Sequence, residues 1–480
     1  MATETPTTIY ANIMVLSVFD ANGQISSKQL EVGPPLIPKA AAMFRGMDYS
    51  PDHQMFSYWQ LNHRKEKTVT FLVQPNNANG TKNGDPIRLL SFPLGKMINP
   101  GYVYSAWSPD HQRFAVIGWR TDVDEATMVI GIYDQNYQKL HEKEISFGIE
   151  YKDFRGLTQI TVNNNGHVFF SGMRSEEGYK MGVSGFLYNP DNEKLQEVFL
   201  NPDNQYLKSY EVTVNAMGAF QITGLYRHGV IDDDDGPIGV VYMLIDPVMG
   251  GDPLLYKATP FNEAHYRTYF EGVKNSVGVS NYETGDIPDY LKIVEVHQRP
   301  GGGVYLIAEV QYKDNAVANT YDVAHYYHMD VMVLMIDKNG NVEKQVKIDK
   351  YNYTNRHQEM EFHSVGSFLL EDDLYLFYNK SWGEVYRQLP MGITEEEIKS
   401  SHNLVPAYTM IQGATGATKS SLILSLYYDP RGMSLGNYRI KDSEEILDLR
   451  PKTISVTPEG TILFLAQGAT QYVWGNLVFE

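Results

Sequence analysis

The tetrapeptide Ser-Pro-Asp-His occurs twice, in Tyr49-Ser-Pro-Asp-His-Gln-Met-Phe-Ser-Tyr-Trp59 and in Trp107-Ser-Pro-Asp-His-Gln-Arg-Phe-Ala-Val-Ile117, which sets Ser50 and Ser108 58 residues apart. A repeat of that length is one supersecondary unit, and a chain built from such units buries its core between neighbouring copies. The repeated piece is a turn: Ser supplies a hydroxyl for the backbone, Pro fixes φ, Asp follows, and β-rich residues resume. Two strands joined tightly, with Phe56 and Phe114 at matched places on the second, are the expected local structure.

Weaker copies continue the pattern. Ile160-Thr-Val-Asn-Asn-Asn-Gly-His-Val-Phe-Phe170 places Asn163 55 residues after Ser108, and Val212-Thr-Val-Asn-Ala-Met-Gly-Ala-Phe-Gln-Ile222 places Asn215 52 residues further on. The fifth copy, Ile293 to Ile307, comes late by about the length of an extra segment, Pro260 to Asp289. A sixth runs from Val365 to Phe377. The seventh, Ile454 to Phe464, carries Thr457-Pro458-Glu459 at its turn. Between copies lies a second hairpin of the same kind, such as Val183 to Pro190 with Leu195 to Leu200, Val240 to Asp246 with Leu254 to Ala258, and Asp330 to Asp337 with Val342 to Ile348. Four strands per unit is the size of a propeller blade. The expectation is an all-β chain forming a single β-propeller over residues 1–480. Seven four-stranded blades are expected, an eighth being left open. The chain begins with a second hairpin, Ile9 to Phe19 with Ile25 to Val32, and ends with a first one, so the two termini are expected to share the last blade. The role of the final segment, Tyr472 to Phe479, stays open.

Composition agrees with this class. The 480 residues include 40 Gly and 34 Tyr and are 42% hydrophobic, which suits many turns between aromatic-rich strands. A net charge of −18 disfavours nucleic acid and anionic membrane surfaces, both of which need a basic face. No apolar run approaches the length of a membrane helix. Zero cysteines remove disulfides, thiolate metal sites and cysteine nucleophiles together. The polar start Met1-Ala-Thr-Glu-Thr-Pro-Thr-Thr has neither a basic n-region nor an apolar h-region. It reads as a lead left after signal removal, which makes an extracytoplasmic place, periplasmic or at the cell surface, the expectation beside a cytoplasmic one.

The turns Trp107-Ser-Pro-Asp and Thr457-Pro-Glu-Gly, each followed by an apolar strand, resemble the WD40-like repeat of TolB-type β-propellers, in which Ser-Pro-Asp-Gly is usual. His53 and His111 stand where that family has Gly. The resemblance implies a propeller that binds other proteins or a surface component outside the cytoplasm, and it brings no catalytic residues with it.

Loop lengths point to a working face. In a blade of strands A to D, the A–B and C–D turns share one end and the B–C and D–A connections the other. Long insertions at about 226–238, 260–289, 312–329 and 380–420 fall on the second end, over the fourth to sixth blades, where function tends to sit. Candidate contact residues there are Arg227 and His228, Asp233 and Asp235 of the run Ile231-Asp-Asp-Asp-Asp-Gly-Pro237, then Tyr266, Tyr269 and Phe270, and Trp382 and Tyr386. The acidic run could hold Ca²⁺ but lacks the spacing of a dedicated calcium loop, so a solvated acidic loop is the favoured reading. Tyr266, Tyr269 and Phe270 share helix-compatible spacing and read as core or as a partner site. Thr394-Glu-Glu-Glu has the capping-box form of a short helix. Gly413 to Thr418 lacks the ending of a phosphate-binding loop, and His325, His328, His357, His363 and His297 show no zinc-ligand spacing. No nucleophile elbow or metalloprotease helix is present, so no catalytic residue, metal or cofactor is assigned. The expected function is a non-enzymatic binding or scaffolding propeller for a protein or cell-surface component. The alternative is a carbohydrate-active enzyme with carboxylates at the channel mouth.

Overall fold

The computed structural model describes residues 14–19, 25–30, 40–49, 55–77, 81–95, 101–176, 180–198, 200, 205–228, 237–248, 252–261, 291–314, 325–354, 360–381, 404–422, 448–456, 462–467 and 472–477. Nearly all of them are in antiparallel strands. A hairpin, β1 (Met14–Phe19) and β2 (Ile25–Leu30), pairs with itself, and seven larger sheets follow in chain order. The first holds β3 (Ala40–Tyr49), β4 (Met55–His63), β5 (Thr68–Asn76) and β6 (Ile87–Pro93). In the second are β7 (Tyr102–Trp107), β8 (Arg113–Arg120), β9 (Glu125–Asp134) and β10 (Lys139–Glu150). The third comprises β11 (Phe154–Val162), β12 (Val168–Glu176), β13 (Lys180–Asn189) and β14 (Lys194–Val198). The fourth has β15 (Gln205–Val214), β16 (Phe220–His228), β17 (Gly239–Ile245) and β18 (Leu255–Pro260).

In the fifth sheet β19 (Leu291–Gln298), β20 (Val304–Asp314), β21 (His325–Ile336) and β22 (Val342–Ile348) are joined by a short β23 (Asn352–Thr354) on β21. After one helical turn, α1 (Met360–His363), the sixth sheet has β24 (Val365–Leu370), β25 (Asp373–Ser381), β26 (Leu404–Ile411) and β27 (Thr418–Leu422). The last sheet splits its first strand into β28 (Asp448–Leu449) and β29 (Ser455–Val456), because a 3-10 turn at Pro451–Thr453 interrupts it, and both halves pair with β30 (Ile462–Gln467). The final segment, left open by the sequence, is the next strand, β31 (Tyr472–Leu477), on β30.

The sheets follow one another as blades do. First strands of consecutive sheets are neighbours: β7 meets β11, β11 meets β15, β15 meets β19, and β19 meets β24. Core clusters form between sheets: Phe56, Tyr58 and Phe71 pack against Phe114, Val129 and Tyr133, and Ile117, Ile130 and Trp119 against Phe154, Phe170 and Phe186. The matched Phe56 and Phe114 lie in one cluster. The other face of the first sheet is equally covered, with Met55, Ser57, Gln74 and Asn76 fully buried and Trp59 nearly so. An open row of sheets would leave such an end face in water; a closed ring would not.

Tight hairpins share one construction. In the Ser108 turn, the Ser108 hydroxyl accepts from Arg113 N (2.9 Å) and Asp110 Oδ1 accepts from Gln112 N (3.0 Å). Asn163 Oδ1 accepts from the amides of Asn165 and His167, and Asn215 Oδ1 from those of Met217 and Ala219. Asp134 and Asp337 cap the C–D turns of the second and fifth sheets in the same way. Three residues after each cap the backbone turns left-handed, at His111 (φ 55), Tyr137 (φ 59), Gly166 (φ 86), Gly218 (φ 82) and Gly340 (φ 79). In the four loops closed four residues after the cap, that geometry ends the loop in a bulge at its last residue, whereas the Ser108 loop, closed at Arg113, is one residue longer. His111 therefore occupies a conformation that Gly takes at no steric cost.

Two of the expected insertions are shorter than drawn. β20 and β21 continue as a ladder into 312–329, pairing Tyr312 with Tyr327 and Asp314 with His325. Within 380–420, β26 and β27 occupy the second half, and Gly413 to Thr418 is their tight turn at the opposite end of the sheet. Ala407 to Ile411 pair with Leu374 to Tyr378 of β25, and that pairing decides the matter. Connections 229–238, 261–290, 315–324 and 382–403 do leave from the B–C and D–A end.

His111→Gly removes a left-handed side chain costing about 1–2 kcal/mol. Trp107 keeps Phe114 and Tyr137 as ring neighbours when the His111 stack is lost. The expected result is a net gain of about 1 kcal/mol in denaturant unfolding, and a loss would contradict the turn geometry.

Candidate functional site at the hub

The turn caps fix the register of the first strands, and that register brings a set of polar side chains together. Four residues before the caps Ser108, Asn163, Asn215 and the turn residue Arg299 stand Tyr104, Gln159, Glu211 and Glu295. Because side chains repeat every second residue in a strand, these occupy equivalent levels on neighbouring inner strands. Hydrogen bonds between those strands confirm it. Gln159 Nε2 donates to Glu211 Oε1 (2.9 Å), Thr161 Oγ1 to Val212 O (3.2 Å), Ile293 N to Ser209 Oγ (3.1 Å) and Gln298 Nε2 to Thr213 Oγ1 (3.1 Å). Bulges interrupt the first strands beside these positions in the first, third, fourth and fifth sheets, re-aiming side chains locally.

Neighbours can be followed around the hub. Arg45, held by Gln60 Oε1, lies within electrostatic reach of Tyr102 and Tyr104. The Leu157 backbone hydrogen-bonds the Tyr104 hydroxyl. Glu211 feels the charge of Glu295. Glu295 Oε2 accepts from Ser367 Oγ (2.5 Å), His297 Nε2 lies 2.7 Å from the same hydroxyl and 3.5 Å from Glu295 Oε1, and Lys452 acts on Glu295 from the last sheet. Each of the seven larger sheets so contributes a polar group.

The two carboxylates are pushed in opposite directions. Burial raises the Glu211 pKa, the Glu295 charge adds to the rise, and the Gln159 hydrogen bond opposes it without reversing it. Burial also works to raise Glu295, but His297, Ser367 and Lys452 outweigh it and leave that carboxyl below its ordinary range. A pair separated this way can present one carboxyl that holds its proton longer and one carboxylate that stays ionised.

A second polar cluster, buried except for Gln311, lies at the B–C and D–A end of the fifth and sixth sheets. Glu309 lies at a bulge between β20 and β21. Its carboxylate accepts from Lys350 Nζ, from Gln311 Nε2 (2.7 Å) and from Ser364 Oγ (3.3 Å), with His328 Nδ1 at 3.1 Å. Lys350 Nζ also donates to the carbonyl of His363. Asn352 Nδ2 donates to Asn379 O (2.8 Å), and Asn379 Nδ2 donates to Phe362 O and Leu449 O (both 2.7 Å), so the network fastens the fifth, sixth and seventh sheets together. Burial alone would raise Glu309, yet Lys350 and His328 hold it at about 2. Burial, with Lys350 and His328 adding, drives the His363 imidazole down to about 3, so it is neutral. This cluster has no exposed member and acts as a staple.

Of the residues expected to bind, Arg227 is on β16 and buried, so it is part of the blade and not a free contact. His228 ends β16, with its side chain outside the described residues. Asp233, Asp235, Tyr266, Tyr269, Phe270, Trp382 and Tyr386, and the helix expected at Thr394, also lie outside the described residues. His328 and His363, given no common role by spacing, come together with ring centroids 6.3 Å apart. Among the described residues no group of His, Asp and Glu is arranged to hold a metal ion. The hub residues were missed in the sequence, although subtracting four from Ser108, Asn163, Asn215 and Arg299 finds Tyr104, Gln159, Glu211 and Glu295.

No protein-family model matches the chain, and no curated protein matches it either. Solved structures of similar shape include a post-proline cleaving enzyme from Rickettsia typhi, at 9% identity over 96% of this chain and 57% of that one, with a TM-score of 0.37. A Synechocystis apocarotenoid oxygenase variant matches at 8% identity over 72% of this chain and 74% of its own, with a TM-score of 0.32. The chain thus covers just over half the length of the first of these. At such identities and TM-scores neither enzyme's activity transfers to this chain.

Breaking the staple tests how the sheets are fastened. Glu309→Gln leaves Lys350 buried without its charge partner and is expected to cost about 3–5 kcal/mol, whereas Glu309→Leu with Lys350→Met recovers most of the loss. In the unfolded chain Glu309 takes up a proton near 4.5, in the folded chain only near 2. The unfolded state therefore binds more protons in that window, and the contribution, complete above it, is lost as pH falls through it. Urea unfolding at several pH values reads both effects, and an acid limb unchanged in the Glu309→Gln variant would refute them.

Proposed function

We propose that the chain is a non-catalytic binding propeller that engages a protein or a cell-surface component through the end carrying the B–C and D–A connections of the fourth to sixth sheets. The observation that carries this reading is the asymmetry between the two ends. At the A–B and C–D end the caps satisfy their own loop amides, and the turns bond one another across sheets, as Asn163 Nδ2 does to Gly218 O (3.0 Å). Among the described residues, the turns of that end meet their hydrogen bonds from within. At the opposite end, connections 261–290 and 382–403 far exceed what joining two strands requires. The resemblance of the Ser-Pro-Asp turns to TolB-type propellers supports the same reading, and an extracytoplasmic location goes with it. Arg227 supports the blade in this account, while His228, Asp233, Asp235, Tyr266, Tyr269, Phe270, Trp382 and Tyr386 stay as proposed contacts.

The test compares the intact chain with variants in which residues 262–290 and 382–403 are replaced by short Gly-Ser linkers, each captured on beads and exposed to cell-surface extract from the source organism. The expected result is a specific partner retained by the intact chain and lost from the shortened ones, at unchanged thermal stability. Equal recovery by all three contradicts the choice of face.

A further inference from the structure

We propose that the hub is a second, independent binding site, for an uncharged polyhydroxylated ligand such as a sugar residue, with Glu211 and Glu295 as its two principal contacts. Three features of the hub carry this. First, its polar side chains come from every large sheet, so the site is made by the ring and not by a loop. Second, donors and acceptors are mixed: Arg45, Tyr104, Gln159, His297 and Lys452 stand with Glu211 and Glu295. The cationic pair and the carboxylates offset one another, which favours a neutral ligand over an anion or a polycation. Third, the two carboxylates are half-buried, and each oxygen accepts up to two hydrogen bonds. The described partners of Glu211 and Glu295 use only part of that capacity. Vicinal hydroxyls that donate to one carboxylate and accept from a neighbouring donor suit such a frame.

The divergent titration of the pair supports the same picture. Burial and the Glu295 charge raise Glu211 while His297, Ser367 and Lys452 lower Glu295, so Glu295 is the carboxylate that stays ionised to lower pH and accepts from a ligand hydroxyl. This site is separate from the loop end proposed above, so either can fail alone.

The experiment uses the full chain and the methyl α- and β-pyranosides of glucose, galactose and mannose as probes, read by saturation-transfer NMR and calorimetry, with glucuronate as the charged comparison. At least one neutral glycoside is expected to bind while glucuronate binds more weakly. Glu211→Ala and Glu295→Gln should each weaken it about tenfold or more, with the unfolding midpoint kept. Should Glu295→Gln fail to fold, Ser367→Ala, which leaves both carboxyls in place, must weaken the same glycoside. No binding of any neutral glycoside overturns the proposal, as does affinity unchanged by the substitutions. The loop-shortened variants must bind the glycoside as the intact chain does, which separates failure here from failure of the partner reading.

Discussion

The capped turn is the constraint on which the rest of the molecule depends. One side-chain oxygen at its first position, in Ser108, Asn163 or Asn215, takes loop amides that would otherwise be orphaned, and a left-handed residue three places later returns the chain into the next strand. A one-residue slip would carry every apolar side chain of the strand to the wrong face. Fixing the turn therefore fixes which residues of β7, β11, β15 and β19 pack between sheets and which reach the hub.

From that register two polar systems of different kinds arise. At the hub Tyr104, Gln159, Glu211, Glu295 and His297 are half-buried and Arg45 and Lys452 exposed, so the site keeps hydrogen-bonding capacity towards solvent. Glu309 and Lys350, by contrast, are sealed between sheets, where a charge is tolerated only because its partner sits against it. Removing one ion from such a pair is costly, and removing both is not, so the staple is better understood as an arrangement that selects one docking of the fifth sheet on the sixth than as a source of net stability. Gly366 belongs to the same join: a Cβ there would meet the Pro451 carbonyl at 1.8 Å, so the sixth sheet can approach the last one only through a residue without a side chain.

Much of this was legible in the sequence, for reasons that can be named. Strand pairs were readable because Ser-Pro-Asp and Asn-Asn-Asn-Gly are local signals whose geometry is set within five residues. The end carrying the long connections followed from counting strands. The hub was hidden because Gln159, Glu211 and Glu295 read individually as ordinary solvated positions of half-buried strands; only the common offset from the turn joins them. The staple left one trace, a carboxylate at Glu309 inside the apolar run Val304-Tyr-Leu-Ile-Ala-Glu-Val310. Its partner Lys350 is 41 residues away and has no local signature. Likewise, 380–420 looked like one insertion because the strand Leu404–Ile411 carries Pro406 and little alternation, and its pairing with β25 comes from tertiary context.

The most direct test of the account is a carboxyl-selective NMR titration of Glu211 and Glu295, with assignment by substitution. If the inner strands stand in the register described, Glu211 titrates above the ordinary glutamate range and Glu295 below it, and Glu295→Gln lowers the Glu211 midpoint because a neighbouring negative charge is gone. Two independent titrations at ordinary values, with Glu211 indifferent to Glu295→Gln, would mean that the inner strands do not meet as described.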